Sequence, residues 1–142
     1  MNLKKIKIIG TITIFLLAFL YHFLYDWLPN PIFSILFPVN ESIWEHMKLL
    51  YTGILSWGVI EIIILKKNNI KYNNYIYQLF ITAITSIPIY LIIYLPIYNI
   101  IGEKLIISII ILFIVIALEQ ILSYYLLIKK QDKNILNKIS LI

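Results

Sequence analysis

The sequence predicts an all-α, polytopic membrane protein with four transmembrane helices and both termini cytoplasmic. Three observations carry that prediction. The 142 residues are 61% hydrophobic and only 13% charged, with a mean hydropathy of +0.90, which is more apolar surface than one small water-soluble core can hide. The apolar residues fall into four runs, each close to the ~20 residues that cross the hydrocarbon of a bilayer. Most charged residues sit between the runs, and the lysines are divided unequally between the two sides.

The first run, Ile6 to Tyr25, follows Lys4, Lys5 and Lys7 as a signal peptide would. Its "LAFLYHF" has no small-x-small cleavage site, so it reads as an uncleaved anchor. The connection from Asp26 to Asn40 contains "LPNPIFSILFP", in which prolines frame an apolar "IFSIL" too short to span and too apolar for water. It belongs at the interface or re-entrant into it, either as a connector or as a lid over a site between helices. The second run, Ile43 to Leu65, opens on "NESIWEH". Ser42 followed by Glu45 fits a capping box, and Asn40 is the competing N-cap. With Asn40 as cap, Glu41 and Glu45 stand one turn apart on one stripe; with Ser42 as cap, Glu41 lies outside the helix.

The polar "KKNNIKYNN" leads into the third run, Tyr75 to Tyr98. Gln78, Thr82 and Thr85 share a stripe there that suits helix-to-helix contact, and Pro88 is placed to bend the helix. A tight turn, "NIIGEK", with Gly102 near its centre, precedes the fourth run, Leu105 to Ile128. After Lys129 the tail reads as a short amphipathic helix for an anionic membrane surface.

Ten of the twelve lysines flank the N-terminus, the loop after the second run and the C-terminus, leaving Lys48 and Lys104 on the other side. The positive-inside rule then puts both termini in the cytoplasm, so the connection between runs one and two, and the turn at Gly102, face outward. Tyr21, Tyr25, Trp27, Trp44, Tyr94 and Tyr98 would belt the outer interface. The net charge of +5 is spent on topology and is not gathered on a soluble face, so nucleic acid is excluded as a partner and the lipid bilayer is expected. The absence of cysteine excludes disulfides, thiolate metal sites and cysteine nucleophiles.

A charge inside hydrocarbon costs at least ~2.5–3.5 kcal/mol, so intramembrane polar residues need partners. Glu61 lies near the inner end of its run and is expected to snorkel to the interface. Glu119 lies deeper, shares a helical face with Ser108 and Ser123, and should face the bundle interior. At the outer level the topology gathers His22, Asp26, Glu41, Glu45 and His46, with Glu103 nearby. His22, Glu41, Glu45 and His46 are suited to hold a divalent metal such as Zn²⁺, Mn²⁺ or Fe²⁺. No His-Glu-x-x-His pair is present. A bis-histidine haem through His22 and His46 is a lesser alternative, and a Ser42 and His46 nucleophile pair is weaker still, because Ser42 already caps the helix.

"HFLYDW", Pro31-Ile32, "VNESIWEHMKLL" and, more loosely, "EQILSYYLL" resemble an uncharacterised family of small bacterial integral membrane proteins, a domain of unknown function with an Asn-Glu-Ser-x-Trp-Glu-His signature. The resemblance implies a multi-pass protein of the bacterial cytoplasmic membrane. It implies no activity and no catalytic residue. Three functions fit the residues. The first is cation binding or transport through the outward His/Glu site, with Glu119 beneath it; four short helices are few for a solitary carrier, which favours a homo-oligomer. The second is a non-catalytic assembly or accessory role. The third is a metal-dependent hydrolase working at the outer interface.

Overall fold

A backbone in hydrocarbon finds no water, so every apolar run must satisfy its own amides, and here each does so as helix. The computed structural model describes residues 1–129. Five helices follow in order: α1 (Leu3–Trp27), α2 (Pro31–Leu36), α3 (Ile43–Lys67), α4 (Tyr75–Ile101) and α5 (Leu105–Ile128). All except α2 are long and apolar enough to cross a membrane, and the chain is a multi-pass membrane protein on that ground. The amphipathic helix expected beyond Lys129 lies outside the described residues.

Local chemistry sets the boundaries. Asn2 caps α1 by accepting from the Lys5 amide at 2.9 Å, so α1 starts before the expected Ile6 and takes Lys4, Lys5 and Lys7 into the helix. Asn30 does the same for α2 at the Phe33 amide, 3.0 Å away, with Pro31 in the first turn, where its missing N–H costs nothing. The apolar "IFSIL" is therefore a six-residue helix. At the start of α3 the cap is Ser42, whose hydroxyl accepts from the Glu45 amide at 3.3 Å. α4 runs unbroken through Pro88 and Pro96 to Gly102, where a φ of +71° and ψ of −171° fall in a region open essentially to glycine alone.

α1 packs against α3 and α5, and α4 packs against the same two, so the four long helices close a ring. Contacts between neighbours run antiparallel: His22 meets His46 at 3.1 Å near one end of the α1–α3 seam, and Lys7 meets Glu61 near the other. We call these the histidine end and the lysine end. Ile8, Ile12 and Leu16 on α1, Val59 and Ile63 on α3, Ile84 and Ile92 on α4, and Ile110 and Ile121 on α5 all point outward and are exposed. An apolar surface on every long helix is what a bilayer covers. Inside, Ile14, Leu50, Ile54, Val115 and Ile116 are buried together midway along the bundle. That apolar layer separates polar groups at the histidine end from a second polar set at the lysine end.

Candidate metal centre

His22 comes from the last turns of α1 and His46 from the first turn of α3, an antiparallel pair of helices that brings the two rings to a centroid separation of 5.0 Å. Their Nε2 atoms are 3.1 Å apart. Because Ser42 is the cap, Glu41 stays outside the helix and is free to fold back: its Oε2 lies 3.6 Å from His22 Nε2 and 3.4 Å from His46 Nε2. Three atoms that can each offer a lone pair thus form a triangle with edges of 3.1, 3.4 and 3.6 Å. In a tetrahedral shell with bonds of about 2.0–2.1 Å, neighbouring ligand atoms stand about 3.3–3.4 Å apart. The triangle has the size of one face of that tetrahedron.

The outer partner of His46 is already placed. Its Nδ1 is 2.8 Å from the Ser42 carbonyl oxygen, which can only accept, so the proton sits on Nδ1 and the Nε2 lone pair is left facing the triangle. His22 Nδ1 has no such partner among the described residues. The same approach of the rings also serves as a hydrogen bond from His22 to His46, so chemistry and not distance alone must separate the two uses.

Glu45 does not join the other three residues of the expected shell. Its carboxylate accepts from Lys48 Nζ at 2.6 Å and from the Val39 amide at 3.0 Å. The return half of the capping box is not made either, since the Ser42 amide donates to Asn40 Oδ1 at 2.9 Å. A lysine one turn along the helix outcompetes both roles. Asp26 is exposed and outside the cluster, whereas Glu103 lines the adjoining cavity. A haem between the histidines is ruled out by geometry: axial ligands stand on opposite sides of the macrocycle, and Nε2 atoms 3.1 Å apart leave it no room.

The cavity, about 480 Å³, is bounded by all four long helices at the histidine end and touches His22, Glu41 and His46. No α2 residue lines it. α2 is instead tied to α3 through Lys48 Nζ, which donates to the Ser34 carbonyl at 2.7 Å. Against known proteins, one family model covers residues 1–142. The chain belongs to the family of unknown function DUF6512. No curated protein and no solved structure matches it.

The DUF6512 chain also holds a polar set that charge counting along the sequence does not reveal. Glu61, expected to snorkel, is buried and lies 2.5 Å from Lys7 Nζ. Lys7, expected in the cytoplasmic tail, is itself buried in α1 and also donates to Ser123 Oγ; Ser123 in turn donates to Gln78 Oε1. The Tyr75 hydroxyl is 3.3 Å from Glu61 Oε2. The Tyr75 proton goes chiefly to the Gly58 carbonyl at 2.5 Å. Removing a charge pair from water is costly, and here the two ions keep each other, with the Ser123 hydroxyl on Lys7. Beside it, a Cβ on Gly10 would stand 2.6 Å from Trp57 Nε1 and 2.7 Å from Gln120 Oε1, so the absence of a side chain lets α3 and α5 bring polar groups over α1. Glu119 is buried as its helical face implied, with Thr85 Oγ1 3.1 Å from both carboxylate oxygens. A helical wheel offers one signal for Lys7: it lies three turns before Ala18, on the face that also carries Gly10 and Ile14.

Proposed function

We propose that this protein binds a divalent transition-metal ion at its histidine end, through Nε2 of His22, Nε2 of His46 and Oε2 of Glu41. By the lysine distribution that end faces outward. The observation that carries the reading is the ligand triangle, of tetrahedral size, with His46 held in the ligating tautomer by Ser42. Two imidazoles and a carboxylate suit Zn²⁺ and leave a fourth position open. Binding is favoured over transport, because Ile14, Leu50, Ile54, Val115 and Ile116 fill the interior between the site and Glu119.

The test is the metal content of protein purified in detergent and loaded with Zn²⁺ or Co²⁺. One ion per chain is expected, with an intense tetrahedral Co²⁺ absorption, and both should disappear in His22→Ala and His46→Ala. Wild-type protein without stoichiometric metal, together with histidine variants of unchanged stability, would reduce the cluster to a hydrogen bond and favour an assembly or accessory role. A hydrolytic use of the same ion is favoured by one observation, the presence in the same cavity wall of a carboxylate that does not ligate, Glu103, which could serve as a base. Turnover of ester lipids that stops in Glu103→Gln while metal stays bound would establish it.

A further inference from the structure

We infer that the cavity takes a single-chain amphiphile, with its hydrocarbon chain between α1 and α5 and its anionic oxygen headgroup at the open position of the metal site. The inference rests on the metal reading above. Its first support is the distribution of chemistry over the walls. The three ligating residues form one cluster on the wall, Tyr90, Tyr94 and Ser108 add hydroxyls from α4 and α5, and Ala18, Met47, Leu49, Ile109 and Leu112 are among the apolar lining. One cluster of ligating groups in a mostly apolar chamber matches one headgroup on one chain.

The second support is the direction in which the cavity opens. α1 and α5 are closed on each other by Phe15 and Phe113, whose rings meet edge to face at 5.1 Å. Beyond that pair, toward the histidine end, Phe19, Phe23 and Leu105 line the cavity and are also exposed on the outer surface of the bundle. The chamber therefore reaches the surface that lipid covers, through the α1–α5 seam. From Leu105 to Leu112 the wall is about 10 Å deep at ~1.5 Å per residue, so the end of a long chain leaves through the seam into the bilayer. The third support is charge: a divalent ion held by two neutral imidazoles and one carboxylate keeps a net positive charge, which favours an anionic oxygen ligand. A fatty-acid carboxylate and a phosphate monoester on one acyl chain share that chemistry.

The test uses the whole protein in lipid nanodiscs, loaded with Zn²⁺ and exposed to a fatty acid carrying a mid-chain diazirine. After illumination, adducts are mapped by mass spectrometry and metal is counted in the same samples. Adducts on cavity residues of α1 and α5 are expected, reduced at least tenfold by Ile109→Trp, which fills the chamber, and by His46→Ala, which removes the ion. Ile109→Trp should keep its metal, and that readout also reports its folding; Ala18→Phe is the second filling variant. Excess unlabelled fatty acid or lysophosphatidic acid should suppress the adducts, and the stronger competitor identifies the headgroup. Metal bound with adducts only on lipid-facing residues such as Ile12 and Ile121, or with neither competitor effective, overturns the amphiphile and leaves the metal site standing. Wild-type protein without metal overturns both, however the probe labels.

Discussion

Which carboxylate serves the histidines is decided by a single capping residue. With Ser42 as N-cap, Glu41 is released from the helix and reaches both imidazoles, while Glu45 is held inside the first turn, where Lys48 and the Val39 amide take it. The two glutamates therefore separate cleanly by mutation. Glu41→Gln removes a ligand and should weaken Zn²⁺ binding by at least the about 10–100-fold that outer-shell changes cost, with little loss of stability because its side chain is 80% exposed. Glu45→Gln should leave metal affinity unchanged and lower stability by about 0.5–1 kcal/mol, the range of a partly exposed ion pair. Isothermal titration and detergent-unfolding curves on the two variants distinguish the outcomes, and a metal defect confined to Glu45→Gln would reverse the assignment. That His22 and His46 lie at the same level was legible from the order and length of the spans; that their rings meet was not, because it depends on how α1 and α3 are turned against each other. The competition for Glu45 was not, since it depends on a Val39 amide that only the folded α2–α3 connection delivers.

Along the α1–α3 seam, each end has its own polar closure, and the lysine end is the more demanding. A lysine near a hydrophobic run is ordinarily read as topology. Lys7 departs from that because Asn2 starts α1 early and helical periodicity then turns the seventh residue toward Glu61 and Ser123. Counting charges by loop puts Lys7 outside the membrane; placing it on the face of Ile14 and Ala18 puts it inside. Breaking one half of a buried pair strands the other, so Lys7→Met alone should cost about 3–5 kcal/mol. Replacing both ions by apolar side chains removes the stranded charge, so Lys7→Met with Glu61→Met should recover most of that loss. A double-mutant cycle measured by unfolding in mixed micelles reads the coupling. Additive losses would mean that the two charges are independently solvated.

The four-helix ring gives the molecule two polar ends and an apolar middle, and the four spans were plain from hydropathy because length and apolarity are what a bilayer selects. An even number of spans places the N-terminus, the α3–α4 loop and the end of α5 on one side. The contacts agree with that grouping: the N-terminal amine is 3.3 Å from Asn68 Oδ1, and the Asn73 amide donates to the Leu127 carbonyl at 3.0 Å. Which side this is rests on the lysines, and the sequence, having no cysteine, makes it directly measurable. Leu28→Cys and Asn73→Cys each introduce a single thiol at an exposed connection on opposite ends of the bundle. A membrane-impermeant maleimide applied to intact cells should label Leu28→Cys at once and Asn73→Cys only after permeabilisation. The reverse pattern would turn the histidine end inward and place the metal site on the cytoplasmic pool of ions. Labelling of both from outside would break the even-span topology, and with it the separation of the two polar ends by the membrane.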